Sequence, residues 1–434
     1  MQKRIKFQQV VEISTVVFVA SCLLKTTLKF LKEEFNMYKI PFSPPDISEE
    51  EIAAVSEVLR SGWITTGPNT VLFEQELADY CGTQYAVALN SATAGMELIL
   101  KVLDIGGEDE VITTPYTYTA TSNVLVHRGV KPTFIDVKKD SFLIDEENIY
   151  EAITPKTKAI MTVDIAGVPV NYDAIRKVLH IKKREDITLI SDSAHSFGAS
   201  YRGQKVGGQM DFHVFSFHAV KNFTTAEGGA ITYNDNSFCG KDDLYKEFKY
   251  TSLHGQNKDA LSKTQAGAWK YDILTDGFKC NMTDIMAVIG RVQLRRYEEM
   301  LRKRAELHEI YNQILGAKEW AILPFEKNGE LETNYHLYTL RLKDFSEEQR
   351  DRVIQLLGEK NIATNVHFMP LPMFTLYRNL GYRLEDYPNA HAQYENEITL
   401  PLYSKLSVDE AEYVAKELIH CVEILVDQKN THRS

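Results

Sequence analysis

The chain is 434 residues long, enough for two or three domains around a large core. Apolar residues make up 44% and charged residues 25%, the proportions of an ordinary globular protein. A formal charge of −11 argues against nucleic acid or anionic membrane as a bulk partner, but not against an anionic small ligand held by backbone dipoles.

The N-terminus has a basic start and an apolar stretch from Val16 to Leu24, interrupted upstream by Glu12, Ser14 and Thr15. It is short for a membrane span and lacks a small-residue cleavage site. A soluble-protein start, "MYKIPFSPPDISEEE", begins at Met37, and Lys32-Glu33-Glu34 can be encoded by a ribosome-binding sequence. Residues 1–36 are therefore expected to be a non-native or weakly structured extension, with membrane association disfavoured. The five cysteines (Cys22, Cys81, Cys239, Cys280, Cys421) are far apart and form neither a disulfide framework nor a zinc motif. A reducing cytoplasm and no metal are the simplest expectation.

From residue 37 onward the pattern is regular. Ser48 and Glu51 form a capping box; Ile52, Val55 and Leu59 share one helical face, and Gly62 stops the helix. Strand candidates follow: "YAVALN", "DEVITT", "KPTFIDV", "TKAIMTVDI", "ITLISDSA", "FHVFSF" and "GGAITYN". Helical stretches such as "TAGMELILKVL" and "YDAIRKVLH" fit between them, which predicts an α/β domain with a largely parallel sheet over 37–280. A long helical region then begins at Met282 and leads through "HLYTLRL", a helix from Ser346, "ATNVHF", "ITLPLY" and a closing helix from Val408. This reads as a smaller α+β domain over 281–434. The Lys/Arg/Glu-rich face of the long helix reads as solvated surface.

Three strand ends carry unusual residues. "SATAGM" opens a helix with small residues and hydroxyls, Ser91 and Thr93, so free N–H groups and the helix dipole can hold a phosphate. Serine and threonine also cap ordinary helices, so this signal is weak alone. In "SDSAHS", Asp192 ends an apolar strand with His195 close behind, where open α/β sheets bind ligands; another helix cap is an equal reading. Lys221 lies in the uncharged stretch "VFSFHAVKNFTTAEGGAI". Dehydration there would lower its pKa and leave a neutral amine, a nucleophile toward carbonyls; a snorkelling lysine is the plainer alternative.

Together the three make what pyridoxal 5′-phosphate requires. The turn anchors the phosphate, the aspartate keeps the pyridine nitrogen protonated, and the lysine holds the aldehyde. Tyr116 or Tyr118, in "TTPYTYTATSN", can stack on the ring, or either can be plain core.

The order "SGWITTGP", "NSATAGM", "DEVITTPYTYTATSN", "SDSAHSFGA", "VFSFHAVKNFTTAEGG", "GFKCNMTD" and "VHF" resembles the DegT/DnrJ/EryC1/StrS family of PLP-dependent sugar-nucleotide aminotransferases over residues 37–427. "SGWITTGP", "SATAGM" and "FSFHAVKN" especially resemble the UDP-4-amino-4-deoxy-L-arabinose aminotransferase branch, and "SDSAHSFGA" with "KVGG" is also similar to the branch that aminates UDP-4-keto-6-deoxy amino sugars. The resemblance implies the type I (aspartate aminotransferase-like) PLP-dependent transferase fold and transamination from an amino acid, glutamate in such families, to a keto-sugar nucleotide in surface-polysaccharide or glycan biosynthesis. It implies Lys221 as the catalytic, aldehyde-carrying lysine and Asp192 at the ring nitrogen. Tyr118 and His195 would stand at the ring, Ala92, Thr93 and Ser216 at the phosphate, and Asn281 at the phosphate of a neighbouring subunit, hence a homodimer with shared sites. Candidate substrate contacts are Thr65 and Thr66 within "WITTG", His218, His336 and His367. The phosphate turn reads Ser-Ala-Thr where many members have Ser-Gly-Thr, and the family's Gly-x-Pro-Asp reads "GVPVNYD". Alternatives are a 3-keto sugar or cyclitol acceptor, or a non-catalytic PLP-binding homologue. Dehydrating members carry histidine at the lysine position, and Lys221 disfavours that branch.

Overall fold

In a computed structural model, residues 38–235, 237–240, 243–258 and 269–431 are described; the expected extension over 1–36 lies outside them. The seven apolar runs are the seven strands of one sheet, ordered β1-β9-β8-β5-β4-β2-β3. Their spans are β1 Tyr85–Leu89, β2 Glu110–Thr113, β3 Lys131–Phe134, β4 Thr157–Val163, β5 Thr188–Asp192, β8 Phe212–Ser216 and β9 Gly229–Tyr233. Two short strands, β6 Ser200–Tyr201 and β7 Gln204–Lys205, lie between β5 and β8 in the chain. All pairs are parallel except those of β9, which runs antiparallel to both β1 and β8. β1, β2, β4, β5 and β8 therefore end on the same edge, and β9 begins there.

That edge is where the backbone comes closest. Gly229, first in β9, sits between Leu89 of β1 and Ser216 of β8. A Cβ at Gly229 would lie 2.4 Å from the Ala92 nitrogen and 2.7 Å from the Phe215 oxygen. Only glycine lets the turn after β1 settle against the start of β9.

Helices cover both faces of the sheet. The first, α1 (Glu49–Ser61), starts with the expected capping box and ends at Gly62, with φ +75°. Its expected apolar face is turned outward: Ile52 and Leu59 are about half exposed, while Glu51 and Val58 are buried. Glu51 is drawn inward because Gln293 and Arg296 donate to it at 2.7 and 2.8 Å. Next come α2 (Pro68–Cys81) and α3 (Ala92–Val102), then α4 (Ala120–His127), α5 (Glu146–Ala152), α6 (Tyr172–Lys182) and α7 (Leu244–Thr251). In the departure "GVPVNYD", Asn171 caps α6 by accepting from the Ala174 N–H at 3.0 Å. An asparagine serves that cap as well as an aspartate does.

The long helix α8 (Asp284–Leu315) joins two cores. Its first half places Ala287, Tyr297 and Met300 among the residues under the large sheet. Its second half packs Leu307, Tyr311 and Leu315 with the C-terminal elements and with Tyr38 and Ile40. Those elements include β10 (Ala321–Ile322), β12 (Tyr338–Leu342) and β13 (Glu397–Leu400) in a three-stranded sheet, with β11 (Leu331–Glu332) pairing β6 elsewhere. The helices α9 (Glu347–Glu359), α10 (Thr375–Asn379), α11 (Pro388–Glu395) and α12 (Val408–Thr431) complete this part. Much of the charged face of α8 is solvated as expected, with Arg295, Arg302 and Lys303 exposed, but Arg304 and Arg291 are drawn inward. Arg304 is buried and donates to the Tyr335 and His336 carbonyls at 2.9 and 2.7 Å, and Arg291 pairs with Glu76 at 2.9 Å.

Among the described residues Cys81, Cys280 and Cys421 are free and buried, no helix is long and apolar enough to cross a membrane, and no cluster of metal-ligating side chains forms. Overpacking a tight backbone contact costs about 1–3 kcal/mol, so Gly229→Ala should lower stability by that amount in urea denaturation. An unchanged unfolding midpoint would contradict the close approach.

Candidate active site

A cavity of about 600 Å³ opens at the C-terminal edge of the parallel strands. Ala92, Thr93, Tyr118, Asp192, His195, Ser216, His218, Lys221, His336 and His367 line it. Thr65, Thr66 and Asn281 do not. These three lie together beside the end of β1, where the Asn281 amide donates to the Thr66 hydroxyl at 2.5 Å and Asp284 N–H donates to the Thr65 carbonyl at 3.0 Å.

Lys221 is carried on the loop between β8 and β9. Phe217 and Phe223, buried at either side, pin that loop into the core. Thr225 N–H and Thr224 hydroxyl both donate to the Phe217 carbonyl, at 2.9 and 3.0 Å, and close it. The lysine itself is half-buried, with protein around it except toward the cavity it lines. Burial lowers its pKa to about 8, against the opposing pull of the Asp192 carboxylate.

Asp192, the last residue of β5, is buried. Its Oδ2 accepts from the Thr121 hydroxyl at 2.7 Å and its Oδ1 from the Ala194 N–H at 3.2 Å. Burial raises its pKa, and these donors and Lys221 oppose that rise.

Three imidazoles complete the walls. His195 accepts the Ala166 N–H at Nδ1 (3.2 Å), which leaves the proton of its neutral ring on Nε2. His336 meets Asn222 Oδ1 at 2.8 Å; because the Asn222 amide nitrogen donates to the Asn334 carbonyl, His336 is the donor, through Nδ1–H. His367 bonds Thr399 through Nδ1 at 2.9 Å, and its ring stacks on Phe42 with centroids 5.6 Å apart. Burial, followed by the charge of Lys221 or another histidine, lowers the pKa of all three, to about 3 for His367. They are neutral at physiological pH. His218 is more open and faces Glu227 at 3.6 Å.

At one side of the cavity Ser91 caps α3, accepting the Ala94 N–H at 3.1 Å. The N–H groups of Ala92 and Thr93 in that first turn have no intrahelical partner, and the Ser216 side chain lies nearby on the wall. The cavity thus offers an anion-binding turn, an amine and a buried carboxylate. That donor set fits an aldehyde bearing a phosphate and a basic ring nitrogen.

The sequence left out several contributors. Phe368 stacks on His195 with centroids 5.7 Å apart and lies 6.1 Å from the ring of Tyr118, which is 63% exposed at the wall. Phe42 comes from an extended N-terminal segment with no periodic signal. Thr121 and Asp164 act behind the wall; the hydroxyl-rich "YTATSN" pointed toward the former, and nothing local to the latter.

The sequence profile described as the DegT/DnrJ/EryC1/StrS aminotransferase family matches residues 45–419. The spore coat polysaccharide biosynthesis protein SpsC of Bacillus subtilis is 35% identical over 379 residues, 86% of this chain and 95% of SpsC. Spr1654 of Streptococcus pneumoniae, a protein assigned as a sugar aminotransferase, superposes in its PLP-form with a TM-score of 0.84 at 45% identity, covering 89% of this chain and 99% of that one. PseC of Helicobacter pylori, an aminotransferase involved in pseudoaminic acid biosynthesis, gives 0.81 at 29% identity over 89% of this chain and all of its own.

The environment of Lys221 has a direct measurable consequence. Labelling by an amine-specific acylating reagent, followed by peptide mass spectrometry, should titrate at this lysine with a midpoint near pH 8. Asp192→Asn removes the charge that favours the ammonium, so the midpoint should move lower still. A midpoint at the ordinary lysine value would show the amine to be hydrated.

Proposed function

The chain belongs to the DegT/DnrJ/EryC1/StrS aminotransferase family, and from that premise we propose that this PLP-dependent enzyme moves an amino group from glutamate to the keto carbon of a nucleotide sugar, specifically a UDP-4-keto sugar, in polysaccharide biosynthesis. The observation that carries the reading is the convergence of Lys221, Asp192 and the Ala92–Thr93 turn on one cavity. The UDP-4-keto preference rests on the likeness of "SGWITTGP", "SATAGM" and "FSFHAVKN" to one branch of the family.

The cofactor supplies an electron sink for the carbon that loses its proton. In this reading Ala92 and Thr93 N–H groups and the Ser216 hydroxyl take the phosphate, and Lys221 carries the aldehyde carbon. Asp192 faces the ring nitrogen and keeps it protonated, held in place by Thr121. Tyr118 would pack on the ring, and His195, with its proton on Nε2, would stand at the other face or near the ring hydroxyl. With the cofactor bound, Lys221 would take a proton from the α-carbon of the donor and later give one to the sugar carbon. A pKa near 8 leaves part of the free amine neutral at physiological pH, as that task requires. Neutral His336 and His367, with His218 at the more open wall, accept from hydroxyl groups of the substrate.

The reading also makes the site a shared one in a homodimer. Asn281 and Thr66 stand together outside their own chain's cavity, and α1 and α2 carry exposed apolar residues (Ile52, Leu59, Val71, Leu72) that a second copy would cover. Thr65 and Thr66 would then reach substrate, and Asn281 the phosphate, of the neighbouring site. The free, buried cysteines fit a reducing compartment, and the reading places the enzyme in the cytoplasm.

Lys221→Ala should still bind PLP, without the visible band of the lysine-linked cofactor, and lose transfer from glutamate to a panel of UDP-, GDP- and dTDP-keto sugars by at least about 10²–10⁴-fold. Substantial transfer by that variant would refute the assignment. Asn281→Ala should weaken PLP retention. At PLP low enough to leave Asn281→Ala empty and inactive, mixing it with Lys221→Ala should restore about a quarter of wild-type activity, because half the dimers are mixed and each has one intact site. No recovery in dimers shown to exchange subunits would rule out sharing.

A further inference from the structure

Asp164 follows β4 directly, is fully buried, and among the described residues touches neither the cavity nor a cation. Its Oδ2 accepts from the hydroxyls of Tyr172 and Ser196 at 2.7 Å, Ser193 at 3.0 Å and Ser191 at 3.1 Å. Its Oδ1 accepts the Val170 N–H at 3.1 Å. The hydrogens of this cluster can be traced. Met210 N–H donates to His213 Nε2 at 3.0 Å, so the proton of the neutral ring is on Nδ1 and goes to the Ser193 oxygen at 2.9 Å. The hydrogen of Ser193 is thereby left for Asp164 or for Ser191, whose own hydrogen then goes to Asp164. Burial raises the pKa of this carboxyl group and the donors oppose that rise; none of its neighbours needs a hydrogen from it, the arrangement that favours an anion.

The donors come from two segments, and both build the cavity wall. Ser191, Ser193 and Ser196 flank Asp192 and His195. Val170 and Tyr172 follow the turn Ile165–Gly167, whose Ala166 N–H caps His195 Nδ1. Ala166 has φ +59°, a left-handed conformation unfavourable for alanine that needs surrounding support. The Asp164 N–H also donates to the Asp192 carbonyl at 3.2 Å.

We propose that Asp164 is a positioning residue: its buried carboxylate clamps the Ser191–Ser196 segment to the turn after β4, fixing Asp192 and His195 against the cofactor, and its charge stands behind that of Asp192. The inference rests on the cofactor placement proposed above. The titratable groups around Asp164 are Tyr172 from α6, with Tyr201 behind it, His213 from β8 through Ser193, and Asp192 and His195 on the clamped segment, with Lys221 beyond. Burial keeps Tyr172 a phenol and His213 neutral, so Asp192 is the neighbour whose charge couples to it.

A second anion behind Asp192 favours protons on the bound cofactor, so losing that anion should let the cofactor release its proton at lower pH. The test uses full-length PLP-loaded protein, comparing wild type with Asp164→Asn, Tyr172→Phe and Ser196→Ala. Asp164→Asn should retain the circular dichroism of the fold, weaken PLP binding about tenfold, and lower the pH midpoint of the visible band by about half a unit or more. Tyr172→Phe and Ser196→Ala keep the charge but each remove a donor at 2.7 Å; they should weaken PLP binding less and leave the midpoint near that of wild type. If Asp164→Asn retains wild-type affinity and midpoint, the proposal fails. If it does not fold, wild-type affinity in both other variants overturns the clamp. Absence of any visible band in wild type would overturn the cofactor placement itself, and this inference with it; a normal wild-type band with unmoved variants overturns this inference alone.

Discussion

One water-poor cavity holds both an amine and a carboxylate, and much of the structure serves to make that tolerable. Removing an ion from water costs several kcal/mol unless partners compensate. Asp192 is compensated by the Thr121 hydroxyl, the Ala194 N–H and the charge of Lys221. Lys221 has fewer partners, and its affinity for a proton falls accordingly. The three imidazoles add hydrogen-bonding capacity without charge, since protonating any of them beside Lys221 would put two cations in one cavity. The lowered pKa of this amine is therefore the product of where the fold buries it and places charge, rather than of any property of the lysine.

Placement begins with the sheet. Strands that all end at one edge bring Ala92, Asp192, Ser216 and Lys221 together although the first and last are far apart in sequence. The start of β9 fits at that edge because Gly229 has no side chain to strike the Ala92 nitrogen. Loops then complete what the strands begin, each locked by buried anchors: Phe217 and Phe223 for the lysine loop, Asp164 for the aspartate segment.

The seven strands were legible because each is an apolar run bounded by turn residues or helix caps. The cavity residues were legible for the opposite reason: a lysine or aspartate at the end of such a run breaks the pattern. What local pattern could not reveal was decided by distant partners. Asp164 lay next to last in a predicted strand but gained meaning only from Tyr172, Ser191, Ser193 and Ser196, which periodicity does not connect. The outward face of α1 was hidden because Glu51, polar by type, is pulled into the core by Arg296 and Gln293. Arg304 looked like surface for the same reason, since the carbonyls that bury it arrive some thirty residues later. Thr65 and Thr66 were legible as a motif, but their position outside the chain's own cavity was not, whereas the resemblance already set Asn281 toward a neighbouring subunit.

The two ends of the cavity answer to different constraints. At the sheet edge, the anion turn, the amine and the carboxylate come from rigid backbone, and little can vary without loss of their mutual placement. His336, His367, Phe368 and Phe374 come instead from C-terminal segments, and Phe42 from an extended N-terminal one. These segments are tied to the lysine loop at one defined joint. Asn222, next to Lys221, bonds both His336 and the Asn334 carbonyl, while Arg304 holds the Tyr335 and His336 carbonyls from behind. A substitution on the far wall, beyond that joint, can reshape the space for an acceptor without disturbing Lys221, whereas one at Asn222 reaches both. On the proposed assignment, acceptor choice can thus diverge while the amine chemistry stays fixed, with Asn222 and Arg304 as the points where the two walls are joined.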